Sequence, residues 1–217
     1  MTLSIAEEFV LLAYGDDDGK PLVKEERVKL VLVAALLSEL ALDGRVELDE
    51  DGGVAVADAT PTGDRALDEV LAAIAEVGST LEPHRWFVRL HARQEPVRVL
   101  ESLAEAGALR VDRRRSFGVF ASTRYPQGDP GFELEIRSRI QAGLDGAEAG
   151  GRTAAVLALV HAAKLTGRLF PGADAARVEE LVAGDWVGRA LLDYYGRGDR
   201  GNVVETAFNT VFGDGSP

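Results

Sequence analysis

The stretch from Glu25 to Leu42 constrains the fold of this chain most, because it has the length of a helix and apolar side chains on every face. A helix at the surface of a globular protein keeps a polar stripe. No such stripe remains between Val28 and Leu37, so we expect this helix to be covered on all sides. A second segment, Thr153 to Leu165, is apolar nearly all round and is expected to pack beside it at the centre of the molecule.

Two segments of the chain change hydrophobic period partway, from helical spacing to alternation. In the first, the central helix ends at Gly44, and alternating residues follow on either side of a glycine-rich turn. In the second, a helix that contains Val99 ends at Gly107, and alternation follows around a polar stretch, Asp112 to Ser116, which we predict to be a hairpin tip. The sequence therefore predicts a mainly α protein, a helical bundle with two short helix-plus-β-hairpin units.

The two units align without a gap when Gly44 is placed on Gly107, 63 positions further along the chain. A shared pattern of this length predicts a structural repeat. In the first unit Glu50 and Asp51 occupy the tip positions that Arg113 and Arg114 occupy in the second. We therefore expect the two hairpins to present opposite charge.

At 217 residues the chain is long enough to bury one sizeable core. We expect a single domain over residues 1–212 and a disordered tail over residues 213–217. Ser4 followed by Glu7 is a capping-box signature, which predicts that the first helix begins there. Helical patterns separated by glycine-rich loops continue through a last segment, Val203 to Phe212.

The composition indicates which cellular compartment and which classes of binding partner to expect. The chain has no cysteine, which excludes disulfides and thiolate zinc sites and favours a reducing compartment. Its first residues carry no basic segment before the apolar run, and no apolar run is long enough to cross a bilayer. We therefore expect a cytoplasmic protein, with peripheral contact to the inner face of the membrane as a further expectation. The net charge of −12 opposes non-specific adhesion to nucleic acid, although a local basic patch can still bind an anion.

The sequence contains none of the common catalytic motifs, so we predict that the protein is not an enzyme and needs no cofactor. His84 and His91 have no acidic residue or cysteine at metal-ligand spacing, so no metal site is expected either. Adjacent acidic residues such as Glu7 and Glu8 point to different faces of a helix and indicate a solvated surface.

Basic residues interleaved with aromatics are the remaining chemical signal. Pro83 suits the first turn of a helix that would place three arginines at spacing four along one face. The guanidinium group matches phosphate oxygens in a bidentate way, and neighbouring aromatics can enter a membrane interface. We assign phosphate or headgroup binding to Arg85, Arg89, Arg93 and Arg98. We assign membrane or partner contact to Arg113, Arg114, Arg115, Phe117 and Arg124. On composition alone, the same arginines could equally balance carboxylates of this acidic protein.

Several stretches together resemble the Golgi phosphoprotein 3 family, in its short prokaryotic form without the basic N-terminal tail of eukaryotic members. They are LSIAEEFVLLAYGDDDGKPL, ALLSELALDGRVEL, DATPTGDRALDEVL, RVLESLAEAGALR and RTAAVLALVHAAKL. The resemblance implies a mostly helical domain with a central bundle and one projecting hairpin, which supports oligomer and membrane contact. It also implies a peripheral membrane protein that binds the headgroup of phosphatidylinositol 4-phosphate.

The headgroup pocket of that family is built from one tryptophan and three arginines. The tryptophan position falls within 22–24, which contains none, and one arginine position falls on Val33. The other two arginine positions fall on Arg93 and on Pro96, with Arg98 close by. The resemblance therefore implies the fold of the family, and this sequence retains part of the family's headgroup pocket.

Three functions follow from these observations. The first is a non-catalytic peripheral membrane module whose arginines contact anionic phospholipid. The second is a protein-interaction or self-association module in which the second hairpin of one copy meets an acidic tip of another, giving a homo-oligomer. The third, a winged-helix-type nucleic-acid binder, needs a basic recognition helix, whereas the helix after Val99 offers Glu101 and Glu105, so we expect no nucleic-acid partner.

Overall fold

The computed structural model describes residues 2–77, 80–94, 96–116 and 120–198. Over these residues the chain forms ten α-helices and two antiparallel two-stranded sheets, which confirms the predicted fold class. The elements in chain order are α1 (Ile5–Ala13), α2 (Glu25–Leu42), β1 (Val46–Leu48), β2 (Val54–Val56), α3 (Arg65–Glu76), α4 (Pro83–His91), α5 (Pro96–Glu105), β3 (Asp112–Ser116), β4 (Phe120–Arg124), α6 (Pro130–Leu144), α7 (Gly151–Ala162), α8 (Thr166–Leu169), α9 (Ala175–Val182) and α10 (Trp186–Gly198).

Helices α2 and α7 lie at the centre of the bundle and contact each other, as their apolar patterns predict. Helix α2 also packs against α1, α3, α4 and α10, and α7 packs against α1, α6, α9 and α10. The side chains from Val31 to Leu37 are all buried. Each fully buried aliphatic side chain contributes about 1.5–3 kcal/mol relative to exposure, so these two helices supply much of the stabilisation.

Helices α1 and α3 begin at side-chain caps, and the cap of α1 is the capping box that the sequence predicts. The backbone N–H of Glu7 donates to Ser4 Oγ (3.2 Å), and the N–H of Ser4 donates to Glu7 Oε2 (2.8 Å), which completes the capping box of α1. At α3, Asp64 Oδ1 accepts hydrogen bonds from the N–H groups of Ala66 (2.7 Å) and Leu67 (3.0 Å). These caps fix where α1 and α3 begin.

The two helix-hairpin units share their first half only. Gly44 and Gly107 both follow a helix with positive φ, 67° and 79°, a conformation that favours glycine. Val46 pairs with Val56, whereas Leu109, which is 63 positions after Val46, pairs with Gln127. The ungapped alignment of the two hairpins is therefore wrong, because the second hairpin is longer.

The predicted tip at Asp112 to Ser116 is also wrong. These residues form β3, whose backbone pairs with β4 from Asp112↔Arg124 to Ser116↔Phe120. Strands pair through hydrogen bonds of the backbone, so a strand that is not covered on both faces can form without alternating apolar and polar residues. Arg113, Arg114 and Arg115 therefore lie along a strand rather than at a tip.

Part of the prediction falls outside the described residues. These parts are Phe117, the expected last helix (203–212) and the expected disordered tail (213–217). Among the described helices, none is both long enough and apolar enough to cross a bilayer.

Candidate anion-binding site

Helix α4 carries the first two arginines of the predicted site. Its inner face buries Trp86, Phe87 and Leu90, while Arg85 and Arg89 are exposed one turn apart. The guanidinium of Arg89 lies 5.9 Å from the centroid of the Trp86 ring, within the range of a cation–π contact. These two arginines therefore share an exposed helix face.

Arg93 lies beyond the end of that helix, which corrects the prediction of one helix with three spaced arginines. Helix α4 ends at His91, and the N–H of Arg93 donates to the carbonyl oxygen of Leu90 in the turn that follows (3.0 Å). Pro96 begins α5 only three residues after Arg93, so the chain turns before a further helical turn can form. The spacing of four along the sequence therefore does not continue in space.

Arg93 and Arg98 instead meet at one pocket of about 110 Å³, at the connection between α4 and α5. Its floor is apolar and comes from five helices: Ala6, Leu32, Val70, Leu90 and Val99 are among the residues that form it. The polar groups at the pocket are Glu69, Arg93, Gln94 and Arg98. Arg85 and Arg89 do not line it, so the structure brings together two of the four predicted arginines.

Glu69 is the residue of this pocket that sequence reasoning missed. Its carboxylate accepts a hydrogen bond from Arg65 Nε (2.8 Å), and Arg65 is the main cause that lowers the pKa of Glu69, followed by Arg98 and Arg93. The positive field of the two pocket arginines therefore reaches Glu69. Only the packing of α3 against the rest of the bundle brings these groups together, and no local sequence pattern indicates it.

A second cavity, of about 180 Å³, continues from the pocket along α5 and shares Arg98 and Val99 with it. Its wall is acidic and contains Glu7, Glu39 and Asp64. Arg98 therefore lies between a basic end and an acidic end of one groove, and the strongest positive potential is expected on the side of Arg93.

The hairpin β3–β4 holds the other predicted group. Arg113 is exposed and Arg124 is half-buried, and Arg113, Arg114 and Arg115 occupy successive positions of β3. Helix α5 leads from Arg98 in its first turn to Glu105, about 10 Å at 1.5 Å per residue, and β3 begins seven residues later. The pocket and the hairpin are thus joined by one short helix.

In the part of the chain that the structure describes, no three His, Cys, Asp or Glu side chains lie close enough together to hold an ion. His84 Nδ1 lies 3.1 Å from a carboxylate oxygen of Glu82, which is a pair rather than a ligand set.

The chain is thus a helical bundle with two short hairpins and a pocket that Arg93 and Arg98 border. The chain belongs to the Golgi phosphoprotein 3 family: the family model described as Golgi phosphoprotein 3 (GPP34) matches residues 5–195. A relative is vacuolar protein sorting-associated protein 74 of Eremothecium gossypii, 27% identical over 160 residues that cover 64% of this chain and 48% of the relative. The chain thus spans about half the length of this curated relative.

Proposed function

We propose that this protein is a non-catalytic peripheral membrane module that binds anionic lipid headgroups, with phosphatidylinositol 4-phosphate as the expected ligand. The observation that carries the proposal is the pocket that Arg93 and Arg98 border over an apolar floor. A guanidinium group can donate two parallel hydrogen bonds to a phosphate. An apolar floor lowers the local dielectric and so strengthens such bonds.

The exposed arginines outside the pocket would add a less specific attraction. Each arginine held near an anionic membrane contributes about 1 kcal/mol, and this term is screened by salt. Arg85 and Arg89 on α4 and Arg113 on β3 are the candidates for this contribution. Because the net charge is −12, membrane binding would depend on the orientation that turns these residues toward the surface.

The double variant Arg93→Gln/Arg98→Gln is expected to weaken binding to vesicles containing phosphatidylinositol 4-phosphate by more than about a hundredfold at low salt, since each lost charge-assisted hydrogen bond to phosphate costs about 1.5 kcal/mol or more. Glu69→Gln is expected to strengthen binding, because it removes a negative charge from the pocket. Vesicle flotation measures both effects. The matched control is Arg168→Gln/Arg189→Gln, which removes two exposed arginines outside the pocket.

Vesicles with a second anionic lipid distinguish binding in the pocket from general electrostatic attraction to a negative membrane. On vesicles with phosphatidylserine as the anionic lipid, Arg85→Gln/Arg89→Gln should weaken binding as much as Arg93→Gln/Arg98→Gln. Equal loss for both double variants on the phosphoinositide vesicles as well would contradict the pocket assignment. No binding of the wild-type protein to either vesicle would contradict the proposed function itself. Unchanged melting temperatures ensure that the comparison concerns folded variants.

A second candidate function is head-to-tail self-association, favoured by opposite charge on the two hairpins. In the β1–β2 turn, Asp49 Oδ1 accepts the N–H groups of Asp51 (3.0 Å) and Gly53 (2.7 Å). Glu50 and Asp51 are exposed beside it. The backbone of β3 carries the three consecutive arginines. An acidic turn of one copy could therefore pair with the basic strand of another.

We expect light scattering to detect oligomers at low ionic strength that dissociate as salt is added, because exposed charges are screened within about 10 Å at 0.1 M salt. Glu50→Lys/Asp51→Lys should keep the protein monomeric under the same conditions. Glu105→Lys, an exposed acidic residue on α5, is the control and should leave association unchanged. A monomeric wild-type protein at low salt and high concentration would rule out this candidate.

A further inference from the structure

A groove of about 530 Å³ lies away from the arginine pocket, among the end of α2, the connection from α6 to α7, helix α9 and the start of α10. Apolar side chains, including Leu42, Leu181 and Trp186, form much of its wall. Leu42 is 50% exposed although it is a large aliphatic side chain. The groove therefore offers apolar surface that solvent can reach.

The charge in this groove is negative. Carboxylates come from Glu148, Glu180 and Asp185, which lie on three different segments. Among the described residues of the wall, Arg177 carries the positive charge, and its guanidinium is already engaged. It donates to Glu180 Oε2 (2.8 Å) and to the carbonyl oxygens of Gly143 and Ala147 (2.9 Å each). Two negative charges therefore remain without compensation by the wall.

One buried polar group in the wall has no partner. Ser38 is 1% exposed, and its hydroxyl makes no hydrogen bond within the described structure. Leaving a buried hydroxyl unpaired is unfavourable, and most such groups in proteins find a partner. A ligand in the groove could provide that partner.

We propose that this groove binds a free aliphatic diamine or polyamine. The methylene chain would lie on the apolar wall, and the ammonium groups would pair with the separated carboxylates. Glu148 and Asp185 are the two wall carboxylates that Arg177 does not bond, and they match the two ammonium groups of a diamine. The half-buried Trp186 ring offers a further contact for a cation. A compact divalent ion matches less well, because no three acidic groups converge in the described part of the chain.

Asp185 gives the proposal further support and a clean test. It directly precedes α10, and its Oδ2 accepts the N–H of Gly188 (2.9 Å), so it caps the helix. Burial raises the pKa of Asp185, and the N–H groups of Gly188 and Val187 together with the charge of Arg189 oppose that shift. Asparagine caps helices about as well as aspartate, so Asp185→Asn removes the charge and keeps the cap.

Isothermal titration calorimetry with cadaverine and spermidine tests the site. Asp185→Asn and Glu148→Gln are each expected to weaken binding about tenfold, since a charge-assisted hydrogen bond is lost in each case. The matched control is Asp129→Asn, another aspartate that caps a helix, α6, but lies outside the groove. It should bind both amines like the wild type.

Ser38→Ala separates binding from folding. It should reduce amine affinity severalfold without lowering the melting temperature, because the hydroxyl that it removes has no partner among the described residues. Three results would overturn the proposal: no heat of binding with either amine, equal affinity in the Asp185→Asn variant, or tighter binding of Mg²⁺ than of cadaverine. Tighter binding of Nα-acetyl-lysine amide than of cadaverine would overturn the assignment to a free amine in favour of a lysine side chain.

Discussion

Replacing Arg152 with methionine is expected to lower the free energy of unfolding by about 3 kcal/mol, because the change leaves a buried carboxylate without one of its partners. Arg152 Nε donates to Glu8 Oε1 (2.9 Å) and Nη1 donates to Glu39 Oε1 (2.7 Å). Arg152 also bonds to the carbonyl oxygen of Leu3. Glu8 is only 4% exposed, so water cannot replace the lost hydrogen bonds.

Urea denaturation of the wild type and the variant measures this effect. Arg168→Met is the control, because Arg168 is exposed and its loss should change stability by less than about 0.5 kcal/mol. The double variant Glu8→Leu/Arg152→Met should lose less than the sum of the two single changes, since the bond between Glu8 and Arg152 is lost only once, although Arg139 and Glu39 each lose one partner. A loss no larger than that of the control would show that the cluster does not stabilise the fold.

This cluster shows what the sequence does not reveal. The pair Glu7-Glu8 indicates a solvated surface, and that interpretation is wrong for Glu8. Its partners Arg139 and Arg152 come from α6 and α7, more than a hundred residues further along the chain. A charged residue on an otherwise apolar helix is expected at the surface unless a distant partner covers it. Only the tertiary packing supplies that partner.

The central helices could be predicted because burial on every face leaves a direct trace in the sequence. Because α2 and α7 have no polar stripe, they are stable only where other helices cover them on all sides. The structure places both at the centre of the bundle. The caps of α1 and α3 were predictable for a similar reason, since each depends on residues only two or three positions apart. Local physical requirements therefore account for the part of the fold that the sequence predicts correctly.

The candidate site was only partly predictable. Spacing along α4 assigned Arg93 to the face of Arg85 and Arg89, but the helix ends before it. The pairing of Arg93 with Arg98 depends on the turn between two helices, and the contribution of Glu69 depends on how α3 packs. The length of the second hairpin was misjudged because strand pairing is a property of the backbone ladder, which charged residues can form as well as apolar ones.

The turn between α1 and α2 supports the base of that longer hairpin. The N–H of Gln127 donates to the carbonyl oxygen of Asp16 (2.9 Å). Gly19, in the same turn, has φ of +57°, and a Cβ atom there would lie 2.4 Å from the backbone of Tyr125 and 2.6 Å from the nitrogen of Pro126. Backbone atoms cannot rotate away as a side chain can, so this glycine sets how closely the turn approaches the end of β4.

Gly19→Ala is therefore expected to destabilise the protein by about 2–5 kcal/mol, combining the left-handed conformation with overpacking. Gly44→Ala separates the two causes, because Gly44 has φ of +67° but no atom within 4 Å of the place that a methyl group would occupy. Its cost should be about 1–2 kcal/mol, from the conformation alone. Thermal and urea unfolding measure both values. Equal destabilisation by the two substitutions would mean that the turn yields to the methyl group, and that its contact with the hairpin base does not limit stability.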